Sequence, residues 1–91
     1  MNKAQLIDNI VKETKQTKTQ TEMTVNYTLE MIKKTVSNGD DVTLVGFGTF
    51  TQSTRKARAG RNPQTGKAIE IPEMTLPRFR PGKEFKDLLD S

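Results

Sequence analysis

Between Gln52 and Lys83 the chain carries eight basic residues, Arg55, Lys56, Arg58, Arg61, Lys67, Arg78, Arg80 and Lys83, against two acids, Glu70 and Glu73. Guanidinium and ammonium groups at this density neutralise phosphates and displace the counterions around a polyanion. The alternative is a solvated basic face without a partner. Residues 1–51 hold six basic and six acidic side chains, which cancel, and the last eight residues return a charge of −2. The net +4 therefore comes from one block, and a polyanion partner is the expected consequence. Inside that block lies RAGRNPQTGK, residues 58–67, with Pro63 between Asn62 and Gln64. The nearest apolar residues are Ala59 and Ala68, so the proline ring has no core to join. It can serve as a turn former, because proline fixes φ. It can also serve as a wedge: a rigid apolar ring, cheap to order, that enters a stack of bases between flanking cations. Asn62 and Gln64 carry the same two readings, as turn formers and as contact residues.

Other chemistry finds little support. The chain has no Cys and no His, which excludes disulfides, the common zinc sites and the usual nucleophile–base pairs. Ser37, Ser53 and Ser91 stand in no nucleophile-elbow pattern, and Asp40-Asp41 reads as a turn signal before a strand. The segment GRNPQTGKA departs from the phosphate-binding loop. Five residues separate Gly60 from Gly66 where four are needed, and Ala68 stands where a hydroxyl must bind magnesium. No cofactor, metal or enzymatic activity is expected.

The elements that must position the basic block follow from periodicity. Residues 3–14 form a helix with Asn2 as cap, Gln5 at the capping-box position, and Leu6, Ile7, Ile10 and Val11 on one face. A second helix starts near Lys18 behind Thr17 and Gln20, and stops at Asn38-Gly39. Its stripe of Val25, Leu29, Ile32 and Val36 is flanked by Met23, Tyr27 and Met31, a face too wide for one neighbouring helix. The short polar turn TKQTKT makes the two helices a hairpin. After Gly39 the period drops to two. Val42 and Leu44, then Phe47 and Phe50, give two strands around a tight turn at Gly46–Gly48. Alternation resumes at AIEIPEMTLPRFR, where Pro72 and Pro77 imply a break or an edge strand. If Phe79 faces the core, Arg78 and Arg80 face away from it. Pro81-Gly82 ends the strand, and a final helix carries Phe85, Leu88 and Leu89.

The expected layout is a single α+β domain: a helical region over 1–38, sheet over 39–54 and 75–82, an arm over 55–74 and a C-terminal helix within 83–91. Leu, Ile, Val and Phe make only 20 of the 91 residues, so one copy buries a modest core and self-association is expected. No apolar run is long enough to span a membrane, and Asp8 interrupts the start where a signal peptide would be apolar. A cytoplasmic chain is expected.

The sequence resembles the HU and integration host factor family of bacterial DNA-bending proteins. The likeness covers nearly the whole chain and rests on MNKAQLID at the start, VGFGTF at 45–50, GRNPQTGK at 60–67 and FRPGKEFKDLL at 79–89. It implies an intertwined homodimer or heterodimer with a helical body, a short β-sheet saddle and a long β-hairpin arm that wraps the minor groove. Arg55, Arg58 and Arg61 then line the arm, Pro63 is the intercalating wedge with Asn62 and Gln64 beside it, and Lys67 lies on the returning strand. Lys3, Arg80, Lys83 and Lys86 become phosphate contacts of the saddle and flanks, with Arg78 beside Arg80. Leu44, Phe47, Phe50 and Phe79 join the helix stripe as core and dimer residues rather than base-stacking groups. The kink associated with such wedges in this family is about 20–90°.

Two departures stand out. Ser53 occupies a position that is basic in many relatives, and the second helix holds Thr19, Thr21, Thr24, Thr28 and Thr35 where relatives often have alanine. Each threonine costs up to about 0.7 kcal/mol of helix propensity. QTGK at the tip and the end at residue 91, without the C-terminal extension common in integration host factor, favour the HU branch. That branch implies a nucleoid-associated protein with little sequence preference and a taste for bent, nicked or gapped DNA. The alternatives are a site-selective integration host factor-like subunit and a scaffold without a DNA role. RNA is a further polyanion that a basic arm attracts.

Overall fold

The computed structural model describes residues 1–90. They fall into two compact units, one over Met1–Lys34 and one from Thr35 onward. Ser91 lies outside the described residues.

In the first unit, helix α1 (Lys3–Thr14) begins at a complete capping box. The Asn2 side chain accepts from the Gln5 N–H at 2.9 Å, and the Gln5 side chain accepts from the Asn2 N–H at 3.0 Å. The helix ends at Lys15, which adopts a left-handed φ of 60°. Helix α2 (Lys18–Ser37) starts with half of the expected box: Thr17 Oγ1 accepts from the Gln20 N–H at 3.2 Å. Lys3 Nζ donates to Asn26 Oδ1 at 2.9 Å, and Asp8 lies 3.6 Å from Lys18, so the two helices run antiparallel as a hairpin. Ile7 of α1 is buried. The threonines of α2 return hydrogen bonds to the preceding turn: Thr21 Oγ1 donates to Thr17 O at 2.9 Å and Thr28 Oγ1 to Thr24 O at 2.7 Å. That satisfies the buried Thr21 without a partner from another element. On the exposed side of α2, the Lys33 ammonium hydrogen-bonds Glu30 at 2.8 Å and holds its carboxyl below the usual range.

The second unit opens on the end of α2. Gly39 (φ 90°) donates to Val36 O and Asp40 to Thr35 O, a Schellman stop of the kind Asn38-Gly39 predicts. Strands β1 (Val42–Leu44), β2 (Gly48–Arg55) and β5 (Met74–Pro81) form an antiparallel sheet in the order β1-β2-β5. Strands β3 (Arg58–Arg61) and β4 (Ala68–Ile71) pair separately as an antiparallel ribbon. Pro72-Glu73 separates the ribbon from β5, and Pro77 lies in an edge strand of the sheet, where no ladder bond is lost on its open side. The sheet runs one rung further than expected: Arg55 pairs with Met74, so these two residues close the β2–β5 ladder and the independent ribbon covers 58–71. Helix α3 (Lys83–Leu89) ends at a cap on Asp90, within the 83–91 region read from the sequence.

Four phenylalanines organise this unit. Phe50 faces Phe79 across the ladder with ring centres 4.8 Å apart. Phe47, from the β1–β2 turn, lies 5.1 Å from Phe79 and 5.4 Å from Phe85 of α3. Gly48 permits this approach, because a Cβ there would stand 2.6 Å from both the Phe79 ring and the Arg80 carbonyl oxygen. The Gly82 N–H donates to Phe47 O at 2.8 Å and ties the start of α3 to the same turn. Gln52 reaches from β2 to donate to Val36 O at 2.7 Å, a second hydrogen bond on the α2 carbonyl that the Gly39 N–H also reaches. Of the apolar residues assigned to core or dimer contacts, Val36 alone is buried. Val25, Ile32, Phe50 and Phe79 are half-buried, and Leu29, Leu44 and Phe47 are exposed.

Candidate nucleic-acid interface

The period of two sorts the sheet into unlike faces. Paired residues share a face, so the side with Phe50 and Phe79 also carries Gln52 and Pro77. The opposite side carries Thr49, Thr51, Ser53 and Arg55 from β2, and Leu76, Arg78 and Arg80 from β5. Thr43 of β1 joins it opposite Thr49. Arg55, Arg78 and Arg80 are exposed on this hydroxyl-lined face. Ser53, the uncharged departure, sits half-buried opposite Leu76.

The ribbon is two-sided as well. Arg58 pairs with Ile71 and Gly60 with Ile69, which puts one arginine on the face of the two isoleucines. Arg61 pairs with Ala68 and Ala59 with Glu70, which puts the other on the opposite face. The two arginines therefore flank the ribbon rather than line one side. A Cβ at Gly60 would lie 2.8 Å from Ile71 Cδ1, so the end of the Ile71 side chain would have to shift to admit it.

At the tip, the Asn62 N–H donates to Lys67 O at 2.9 Å and the Gly66 N–H donates to Asn62 O at 2.7 Å. The Asn62 side chain accepts from the Gln64 N–H at 2.9 Å, so Asn62 acts as a turn former within the chain. Gly66 supplies a φ of 71°. Pro63 stands in this braced turn, exposed, with Gln64 and Lys67 also exposed. Among the described residues, Arg55, Arg58, Arg61 and Lys67 have no carboxylate within ion-pair distance.

The remaining predicted contacts lie elsewhere. Lys83 and Lys86 are exposed on α3, where Lys83 pairs weakly with Asp87 at 3.4 Å. Lys3 sits on α1, engaged with Asn26. Sequence reasoning left two features unassigned. Lys56, counted in the basic block, is an exposed cation between β2 and β3. Phe85 belongs to the aromatic cluster, a role its helical spacing with Leu88 and Leu89 could not distinguish from a simple apolar face.

A small α+β unit that presents a basic, proline-tipped β-ribbon beside a basic sheet face defines a class of polyanion-binding proteins. The chain belongs to the bacterial DNA-binding protein family, whose model matches residues 1–90. The DNA-binding protein HU of Clostridium pasteurianum is 46% identical over 87 residues, covering 96% of each chain. HU-alpha of Escherichia coli is 48% identical, covering 96% of this chain and 97% of its own. Among solved structures, an Anabaena HU–DNA cocrystal superposes with a TM-score of 0.88 at 45% identity, covering 98% of this chain and 97% of that one. The resemblance to HU read from the sequence motifs thus holds over the whole described length.

Proposed function

We propose that this chain is an architectural protein of the nucleoid that binds double-stranded DNA with little sequence preference. The basic ribbon follows the minor groove, and Pro63 enters a base step and bends the duplex. Arg55, Arg58, Arg61 and Lys67 neutralise phosphates along the ribbon, with Asn62 and Gln64 beside the wedge. Arg78 and Arg80 do so on the sheet, and Lys3, Lys83 and Lys86 at the flanks. The observation that carries this reading is an exposed apolar ring on a hydrogen-bonded turn, on a ribbon whose arginines have no acidic partner. Such cations hold their full charge for phosphate, and a braced tip delivers the ring without further ordering. The similar Anabaena HU was crystallised together with DNA, which supports the same ligand for this chain.

The working form is a dimer, either of two copies or with a paralogous subunit. Among the described residues Ile7 and Val36 are the buried hydrophobic side chains, whereas Met23, Tyr27, Leu29 and Met31 of α2 are 43–67% exposed. An apolar helix face of this width needs a second chain to cover it. The protein acts in the cytoplasm, on the chromosome.

The test is a gel-shift panel of intact, nicked, gapped and pre-bent duplexes and an RNA duplex, run at several salt concentrations alongside sedimentation. The expected result is a dimer that binds unrelated DNA sequences alike, prefers the nicked or gapped forms, and weakens steeply with salt. Strong selection of one sequence would favour an integration host factor-like role. Preference for RNA, or a stable monomer without DNA affinity, would overturn the reading.

A further inference from the structure

The basic face of the sheet contains one acidic group. Val42 pairs with Phe50, so the residue before it, Asp41, falls opposite Thr51 and on the same face as Thr43, Thr49, Arg78 and Arg80. The side chains show the same placement: Thr51 Oγ1 donates to Asp41 Oδ1. Thr51 in turn lies opposite Arg78. The row therefore reads carboxylate, hydroxyl, guanidinium across three adjacent strand positions. The next row reads Thr43, Thr49, Arg80, with Thr49 Oγ1 donating to Thr43 Oγ1 at 3.4 Å. In both rows the central hydroxyl hydrogen-bonds toward β1, strongly to the Asp41 carboxylate and at long range to Thr43.

Building on the proposed DNA binding, we propose that Asp41 is an affinity-limiting residue, a fixed counter-charge that phosphates must compete with on the sheet face. It acts in two ways. Its negative charge lies two strand spacings from Arg78, roughly 10 Å. That is about one Debye length at 0.1 M salt, so the charge lowers the potential that Arg78 and Arg80 present. Its carboxylate also accepts the hydrogen bond of the Thr51 hydroxyl, which is thereby engaged rather than free to donate to a phosphate oxygen. Together these effects confine phosphate contact to the β5 side of the sheet and leave the β1 side repulsive. Asp40, its neighbour, makes the same contribution to net charge, but its N–H closes the Schellman turn on Thr35 rather than continuing the β1 register.

The experiment measures affinity for one intact duplex at several salt concentrations, for the parent, Asp41→Asn, Asp41→Ser, Thr51→Ala and Asp40→Asn. Asp41→Asn preserves shape and removes only charge. It is expected to raise affinity roughly two- to fivefold at low salt, with the gain fading as the Debye length shrinks. Asp41→Ser, which need not retain the side-chain bond, should show the same gain and serves if the amide disturbs folding. Thr51→Ala keeps the charge and should gain less. Asp40→Asn should gain less than Asp41→Asn. Equal gains for the two aspartates would reduce the effect to net charge and overturn the proposal. So would a parent-like affinity for Asp41→Asn and Asp41→Ser while the parent binds. A parent that fails to bind any duplex would overturn both this proposal and the function on which it rests.

Discussion

In β2–β5, eight paired rungs hold Phe50 against Phe79, and Phe47 and Phe85 close on the pair from a turn and a helix. In β3–β4, four rungs carry Ala59, Gly60 and Ala68, with two isoleucines and no ring. Both are antiparallel pairs from the same unit of the chain, but they use their side chains differently. The sheet turns its apolar side chains to one face and gains stability from aromatic contact. The ribbon has little apolar surface to bury. Its shape comes from backbone bonds, one Asx turn and a glycine at positive φ, and its side chains are left for contact. Stability and binding should therefore separate cleanly between the two.

Phe79→Ala is the strongest way to break this separation. It removes the ring that Phe47, Phe50 and Phe85 all approach. A loss of about 3 kcal/mol is expected, the low end for such truncations because Phe79 is half-buried. Chemical denaturation should show an early midpoint, and DNA binding should fall only where the protein is unfolded. Full stability would mean that the cluster does not organise the unit.

The double variant Arg58→Ala, Arg61→Ala probes the other region. Both side chains are exposed, so stability should stay within about 0.5 kcal/mol of the parent. Affinity should drop similarly for unrelated duplexes, and the slope of log K against log salt should flatten by about 0.9 for each phosphate no longer neutralised. Because the two arginines occupy opposite faces of the ribbon, the single variants should be nearly additive. An unchanged slope would remove the ribbon from the interface.

The sequence made the starts of α1 and α2 and the stop of α2 legible because capping and an αL glycine are local chemistry. Asn2, Gln5 and Gly39 behave as their types and spacing require. The strands were legible as far as alternation reached, and Pro72 marked the gap before β5. What could not be read depends on pairing across the chain. The extra rung of Arg55 with Met74 and the place of Asp41 follow from register, which a single strand does not reveal. Phe85 and Gln52 likewise find their partners at long range. Of the candidate site, the tip was the most legible part, since Asn62, Pro63 and Gly66 each carry a local backbone preference.

Pro63→Ala tests the central claim most directly. The measurement is a fluorescence or ring-closure bend assay, with affinities for intact and nicked duplexes taken in parallel. The tip is braced by Asn62 and Gly66 and lies outside the aromatic cluster, so the variant should fold and dimerise like the parent. Unstacking an intact base step costs a few kcal/mol, and a step already broken by a nick costs less. The parent should therefore bend DNA and favour the nicked duplex, whereas the variant should bend less and lose that preference, with affinity for intact duplex less affected. A variant that bends DNA as fully as the parent, with the same ratio of nicked to intact affinity, would show that Pro63 only shapes a turn.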